Sequence, residues 1–156
     1  MLKLFLILLT YALFFGCSHS NESSLTELES NQIKKQVLSH AENWLNSWNG
    51  KVDSEKMMAT YHPKMKYAWR GNIPLGTYDE TKKFAESLPE MGTNFQLTMS
   101  NVNYNIIDKK NAVIFFQFDD ENKSPFGVGA VSLVMTKTED KWKIIYVHES
   151  TIEPLE

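Results

Sequence analysis

Cysteine is nearly absent. Cys17 is the only one in 156 residues, so no disulfide can staple the chain internally and no cysteine cluster can hold zinc or iron. Histidine is scarce as well: His19, His40, His62 and His148 are the only four, and none forms an HxH or HxxxH pair. The acidic loop that begins at Asp119 has neither the spacing nor the glycine of a calcium loop. No metal and no cofactor is therefore expected. Excess positive charge is missing too, with 16 Lys and Arg against 19 Asp and Glu and a formal charge of -3. The lysines are spread along the chain, which excludes the basic footprint of a nucleic-acid partner and a polybasic membrane patch. Internal repeats and low-complexity tracts are also lacking, which excludes solenoid architectures.

The one long apolar run stands at the start, as "MLKLFLILLTYALFFG". An early Lys3 followed by about a dozen apolar residues is too short for a comfortable bilayer span and reads as a signal peptide over residues 1–16. Gly16 then precedes Cys17 directly, and "LFFGC" resembles a bacterial lipobox, with Phe14 where leucine is commonest. Lipid attachment gives the otherwise unpaired Cys17 a purpose. Residues 17–24 are polar and read as a tether, and Ser18 after the cysteine resembles an outer-membrane sorting signal. The expectation is a lipid-anchored protein of the bacterial cell envelope, on the periplasmic side of the outer membrane, touching the membrane through its anchor alone. Residues 25–156 are enough for one domain with its own core and too few for two.

Helix signals open that domain. Ser24 and Glu27 have capping-box spacing, and Ile33, Val37, Ala41, Trp44 and Trp48 recur at steps of three and four, an apolar stripe that Asn49-Gly50 would close. Asp53 is placed to cap a short second helix that Pro63 forbids from continuing. "KMKYAWR" reads as a short strand, and Thr77 with Glu80 repeats the capping-box spacing before a third helix carrying Tyr78, Thr81, Phe84 and Leu88 on one face. From Asn94 the period changes to two. Phe95, Leu97 and Met99 alternate, then Val102, Tyr104 and Ile106 alternate one residue out of phase, as a β-bulge would produce. "NAVIFFQF", "GVGAVSLVM" and "KWKIIYVHES" supply three further strands separated by short turns. Short hairpin connections predict an antiparallel sheet, and helices gathered on one face make the class α+β.

This order of elements, the "GNIPLGTYDET" segment entering the third helix and the terminal "WKIIYVHES" resemble the nuclear transport factor 2-like superfamily. More narrowly they are similar to its SnoaL-like and ketosteroid-isomerase-like bacterial domains. The last strand also looks like that of the association domain of calcium/calmodulin-dependent kinase II. The resemblance spans residues 25 to 150. It implies a strongly curved sheet wrapped around the long N-terminal helix as a cone, an apolar pocket at the open end, and a homodimer through the sheet. Its members include isomerases, cyclases and dehydratases as well as non-catalytic binders and accessory subunits, so fold alone does not assign an activity.

Two readings of the site follow. The isomerases of this group carry an aspartate base before the glycine that corresponds to Gly76, but "KYAWRGNIPL" contains no Asp or Glu. Proton abstraction would lack its usual base there. Unbroken alternation along the last strand puts Trp142, Ile144, Tyr146, His148 and Ser150 on one face, with Glu149 on the other. His148 is then the polar residue near the pocket, and a catalytic pair with Glu149 is excluded. The aromatic residues Trp44, Trp48, Tyr61, Tyr67, Trp69, Phe84, Phe116 and Phe118 are expected to line the cone beside His148, with Arg70 at the rim. Tyrosine and tryptophan combine apolar area with a polar end, so the expected ligand is a small apolar or amphipathic molecule.

Overall fold

The computed structural model describes residues 25–69, 75–92, 94–122 and 128–152. The expected signal peptide, Cys17, the expected tether with Ser24, and Arg70 lie outside the described residues. Helix α1 covers Glu27–Asn46 and buries Ile33, Val37, Ala41, Trp44 and Leu45. Its cap sits two residues later than the spacing of Ser24 and Glu27 predicts. Thr26 accepts from the Glu29 amide, and Glu29 reaches back to the Thr26 amide at 3.0 Å. Glu29 also meets Lys109 at 2.6 Å, and that contact with the Thr26 hydrogen bonds holds its carboxyl down at about 2. Trp48 lies beyond the helix end, and Gly50 takes the left-handed conformation (φ +67°) that the Asn-Gly pair predicts.

Helix α2 is Ser54–Thr60, capped by Asp53, whose side chain accepts from the Lys56 amide. Strand β1 begins at once and runs Tyr61–Trp69, two residues ahead of Pro63. The proline is tolerated because the register between β1 and its neighbour slips between Tyr61 and Lys66. Strand β2 is Gly76–Thr77, and α3 is Tyr78–Ser87 with Thr77 and Glu80 forming the expected capping box. Strands β3 (Leu97–Ile106), β4 (Asn111–Asp120), β5 (Val128–Thr138) and β6 (Lys141–Ile152) complete the chain.

The six strands form one sheet in the order β2-β1-β6-β5-β4-β3. Every join is antiparallel except that between β1 and β6, which run parallel. The predicted bulge in β3 is present: Asn101 and Val102 together oppose Phe116, and Asn101 has φ +50°. A second bulge, in β6, was not predicted. Val134 pairs with Tyr146 and Met135 with Ile144, which leaves Ile145 as an extra residue. Each bulge bends its strand and increases the local twist. The sheet's inner face carries Ala112, Ile114, Phe116, Val131, Leu133, Met135, Ile144 and Val147, all buried with the inward stripe of α1. Among the described residues no helix is long and apolar enough to cross a membrane.

Candidate functional site

One end of the space between α1, α3 and the sheet stays open as a cavity of about 320 Å³. Helix α1 and its C-terminal turn contribute Trp44, Leu45 and Trp48. Strand β1 contributes Tyr67 and Trp69, two residues apart and therefore on one face. Gly76 of β2 and Glu80, Thr81 and Phe84 of α3 form the opposite wall, while Phe95, Leu97, Phe118 and Glu149 close the sheet side.

Of the nine residues predicted to line a pocket, Trp44, Trp48, Tyr67, Trp69, Phe84 and Phe118 do so. Tyr61 is buried behind that wall, where its hydroxyl accepts from the Trp44 indole at 2.5 Å. Phe116 is core, its ring centroid 6.2 Å from that of Trp44. His148 is exposed and absent from the cavity wall. The reason is the bulge at Ile145. Trp142 and Ile144 are buried before it, Val147 is buried and Glu149 lines the cavity after it, so the inward set changes from even to odd positions. Glu149, set aside on strand alternation, is the carboxylate of the site.

Glu149 accepts a hydrogen bond from the Tyr67 hydroxyl. Burial pushes the Tyr67 phenol well above its ordinary range, and the nearby Glu149 charge pushes it further in the same direction. Tyr67 is therefore a neutral donor at any ordinary pH. Burial likewise raises Tyr61. The second carboxylate, Glu80, is held by its own cap: it accepts from the Thr77 hydroxyl at 2.7 Å and the Thr77 amide at 2.8 Å, which lowers its pKa. The cavity is thus an aromatic chamber with one phenol–carboxylate pair at β1 and β6. Among the described residues no three His, Cys, Asp or Glu side chains come together as a metal site.

Sequence reasoning missed Leu45, Gly76, Glu80, Thr81, Phe95, Leu97 and Glu149 as wall residues. Phe95 and Leu97 carried a signal, since they alternate on one strand face. Thr81 carried one too, through its place on the predicted face of α3. Glu149 carried none, because the doublet Ile144-Ile145 keeps the pattern apolar in either phase.

The family model for the SnoaL-like domain matches residues 37–154. Solved structures with the same fold include a protein of unknown function from Pseudomonas putida KT2440, described as NTF2-like, with a TM-score of 0.67 and 9% identity over 81% of this chain and 97% of that one. Another, described as NTF-2 like, comes from Shewanella oneidensis MR-1, with a TM-score of 0.61 and 17% identity over 76% of this chain and 98% of that one. A third, from Novosphingobium aromaticivorans, is named provisionally as a scytalone dehydratase and has a TM-score of 0.63 and 13% identity over 81% of this chain and 89% of that one. No curated protein matches. With the family model covering most of its length, the chain belongs to the SnoaL-like family, and its fold is the α+β cone of the nuclear transport factor 2-like proteins.

Proposed function

We propose that this is an exported, lipid-anchored envelope protein that binds a small apolar or amphipathic molecule in its cone, and that it pairs through the outer face of its sheet. The observation that carries the binding reading is the chamber itself: about 320 Å³ walled largely by aromatic rings, with its polar groups confined to a few positions. Export and anchoring rest on the leader-like run ending at Gly16-Cys17, and pairing on the family and on the exposed Phe115 of β4. Native mass spectrometry of the protein purified from its own host tests the binding. A co-purifying small molecule is expected, and bare protomers from every preparation would defeat the reading. Cys17→Ala should move the protein from the membrane to the soluble fraction, and sedimentation should return a dimer.

A second reading is an isomerase, cyclase or dehydratase acting on a hydrophobic substrate. It is favoured by the Glu149 carboxylate in the cavity wall and its bond to Tyr67, which supply a base and a neutral donor side by side. The base would be Glu149 and not His148. Under this reading Glu149→Gln abolishes turnover while the ligand still binds.

A further inference from the structure

Helix α1 separates two ends of the molecule that differ in character. At a rise of 1.5 Å per residue, Glu29 and Trp44 stand about 22 Å apart along its axis. Trp44 lines the cavity, whereas Glu29 meets Lys109 of the β3–β4 turn at 2.6 Å. The strands repeat this division. Leu97 at the start of β3 and Phe118 near the end of β4 line the cavity, while Ile106 and Asn111 stand at the turn that Lys109 belongs to. The cavity therefore opens at the end remote from the start of α1.

That remote end carries aliphatic side chains the core does not use. Leu25 and Ile106 pack against the core. Beside them in the chain, Leu28 is 79% exposed, more than any other large apolar side chain among the described residues, and Ile107 is 58% exposed. The Glu29–Lys109 ion pair joins the two elements that carry them and balances the charge of the lysine. A single exposed aliphatic residue is ordinary, but two on adjoining elements beside a neutral ion pair suit a surface that is itself apolar.

The chain leading into α1 says what that surface is. Cys17 stands eight positions before Leu25, and eight Cα steps reach at most about 28 Å. Under the anchoring reading above, Leu25 lies within that distance of the bilayer. Turning the cavity mouth toward the bilayer would lift the start of α1 by the length of its 20 residues, about 30 Å. The reach of the tether does not cover that height. We infer that the end where α1 begins rests on the membrane that holds the anchor, with Leu28 and Ile107 in its headgroup region, and that the cavity mouth faces away from it. The inference rests on anchoring and adds the orientation that anchoring imposes. A ligand then reaches the cavity through the aqueous phase and not by lateral passage from the bilayer.

The test uses the full-length protein taken from host membranes and reconstituted in vesicles of phosphatidylethanolamine and phosphatidylglycerol. With Cys17 acylated, Leu28→Cys, Ile107→Cys and Val128→Cys each supply one thiol for an environment-sensitive fluorophore. Val128 is the control, exposed and next to the Gly129 that pairs with Phe118 at the cavity end. Spin-labelled lipid should quench the Leu28→Cys and Ile107→Cys labels roughly three-fold or more above the Val128→Cys label, which aqueous iodide should reach best. Leu28→Glu, with the label kept on Ile107→Cys, should restore iodide access there and leave the urea midpoint unchanged. Equal iodide access at all three positions of membrane-bound protein would overturn the docking and leave the anchor standing. Lipid quenching strongest for Val128→Cys would reverse the orientation and overturn the inference. Recovery of the full chain in the soluble fraction, alongside Cys17→Ala, would take the anchor down as well.

Discussion

Tyr67 on β1 and Glu149 on β6 are 82 residues apart in the chain and share a hydrogen bond in the cavity wall. The bond is possible because β1 and β6 run parallel and in register there, with Tyr67 beside Val147 and Trp69 beside Glu149.

The pair fixes how Tyr67 titrates. The unfolded phenol ionises near 10, whereas the folded one stays protonated well above that. Its contribution to stability is therefore intact below pH 10 and lost as the pH rises beyond it. Phenolate absorbance should show Tyr67 ionising late, together with the buried Tyr61, and Tyr67→Phe should remove its share of that late transition. Glu149→Gln should bring that transition down only part of the way, because burial is the larger cause. Tyr67→Phe deletes a hydrogen bond to a carboxylate and should cost about 1–3 kcal/mol in denaturant unfolding.

The bulge at Ile145 predicts a contrast between adjacent residues. His148→Ala on the outer face should change stability by no more than about 0.5 kcal/mol and leave ligand binding intact. His148 should also react readily with an imidazole-modifying reagent. Deleting Ile145 removes the extra residue and leaves Trp142, Ile144, Val147 and Glu149 on one face by strict alternation, so Glu149 stays inward. Tyr67 should therefore still ionise well above its ordinary range, and its return to that range would refute the phase assigned to the bulge.

Gly129 on β5 lies opposite Phe118. A Cβ there would come within 2.3 Å of the Phe118 ring and 2.7 Å of the Ser150 carbonyl. Gly129→Ala should destabilise by about 1–3 kcal/mol through overpacking and push Phe118, a wall residue, out of place. The same change in a Phe118→Leu background should cost less, which a double-mutant cycle in urea would measure.

His40 on α1 packs against α2, and its Nε2 meets the Thr60 carbonyl at 3.0 Å. Burial pushes its imidazole below 6.5 and the charge of Lys143 adds to this, while the bond to Thr60 opposes it. The unfolded chain takes up the proton first as pH falls. Stability is thus complete above 6.5 and declines below it. Urea midpoints measured across that range should fall with pH, and His40→Asn should flatten the slope.

Much of the fold was legible because its signals are local. Capping spacing located α3, the Asn-Gly pair marked the turn after α1, and the phase change from Met99 to Val102 announced the β3 bulge. The bulge in β6 has the same physical nature but left no trace, since Ile144, Ile145, Tyr146 and Val147 fit a sheet in either phase. That single slip moved the polar residue of the site from Glu149 to His148. The aromatic wall was readable from composition and spacing, although Tyr61 and Phe116 went to the core. The Tyr67–Glu149 bond was not, because the parallel seam that creates it depends on the whole topology.

The strand order has one more consequence. Strand β6 lies between β1 and β5, so it alone bridges the β2-β1 pair and the β5-β4-β3 meander. Strand β6 is the central joint of the sheet, and until it docks the described strands form two separate pieces with no strand pairing between them. Trp69 of β1 and Phe118 of β4 can line one cavity only after that joint is made. Folding should therefore behave as a late, all-or-none event governed by long-range contacts, with the binding site the last part of the molecule to exist.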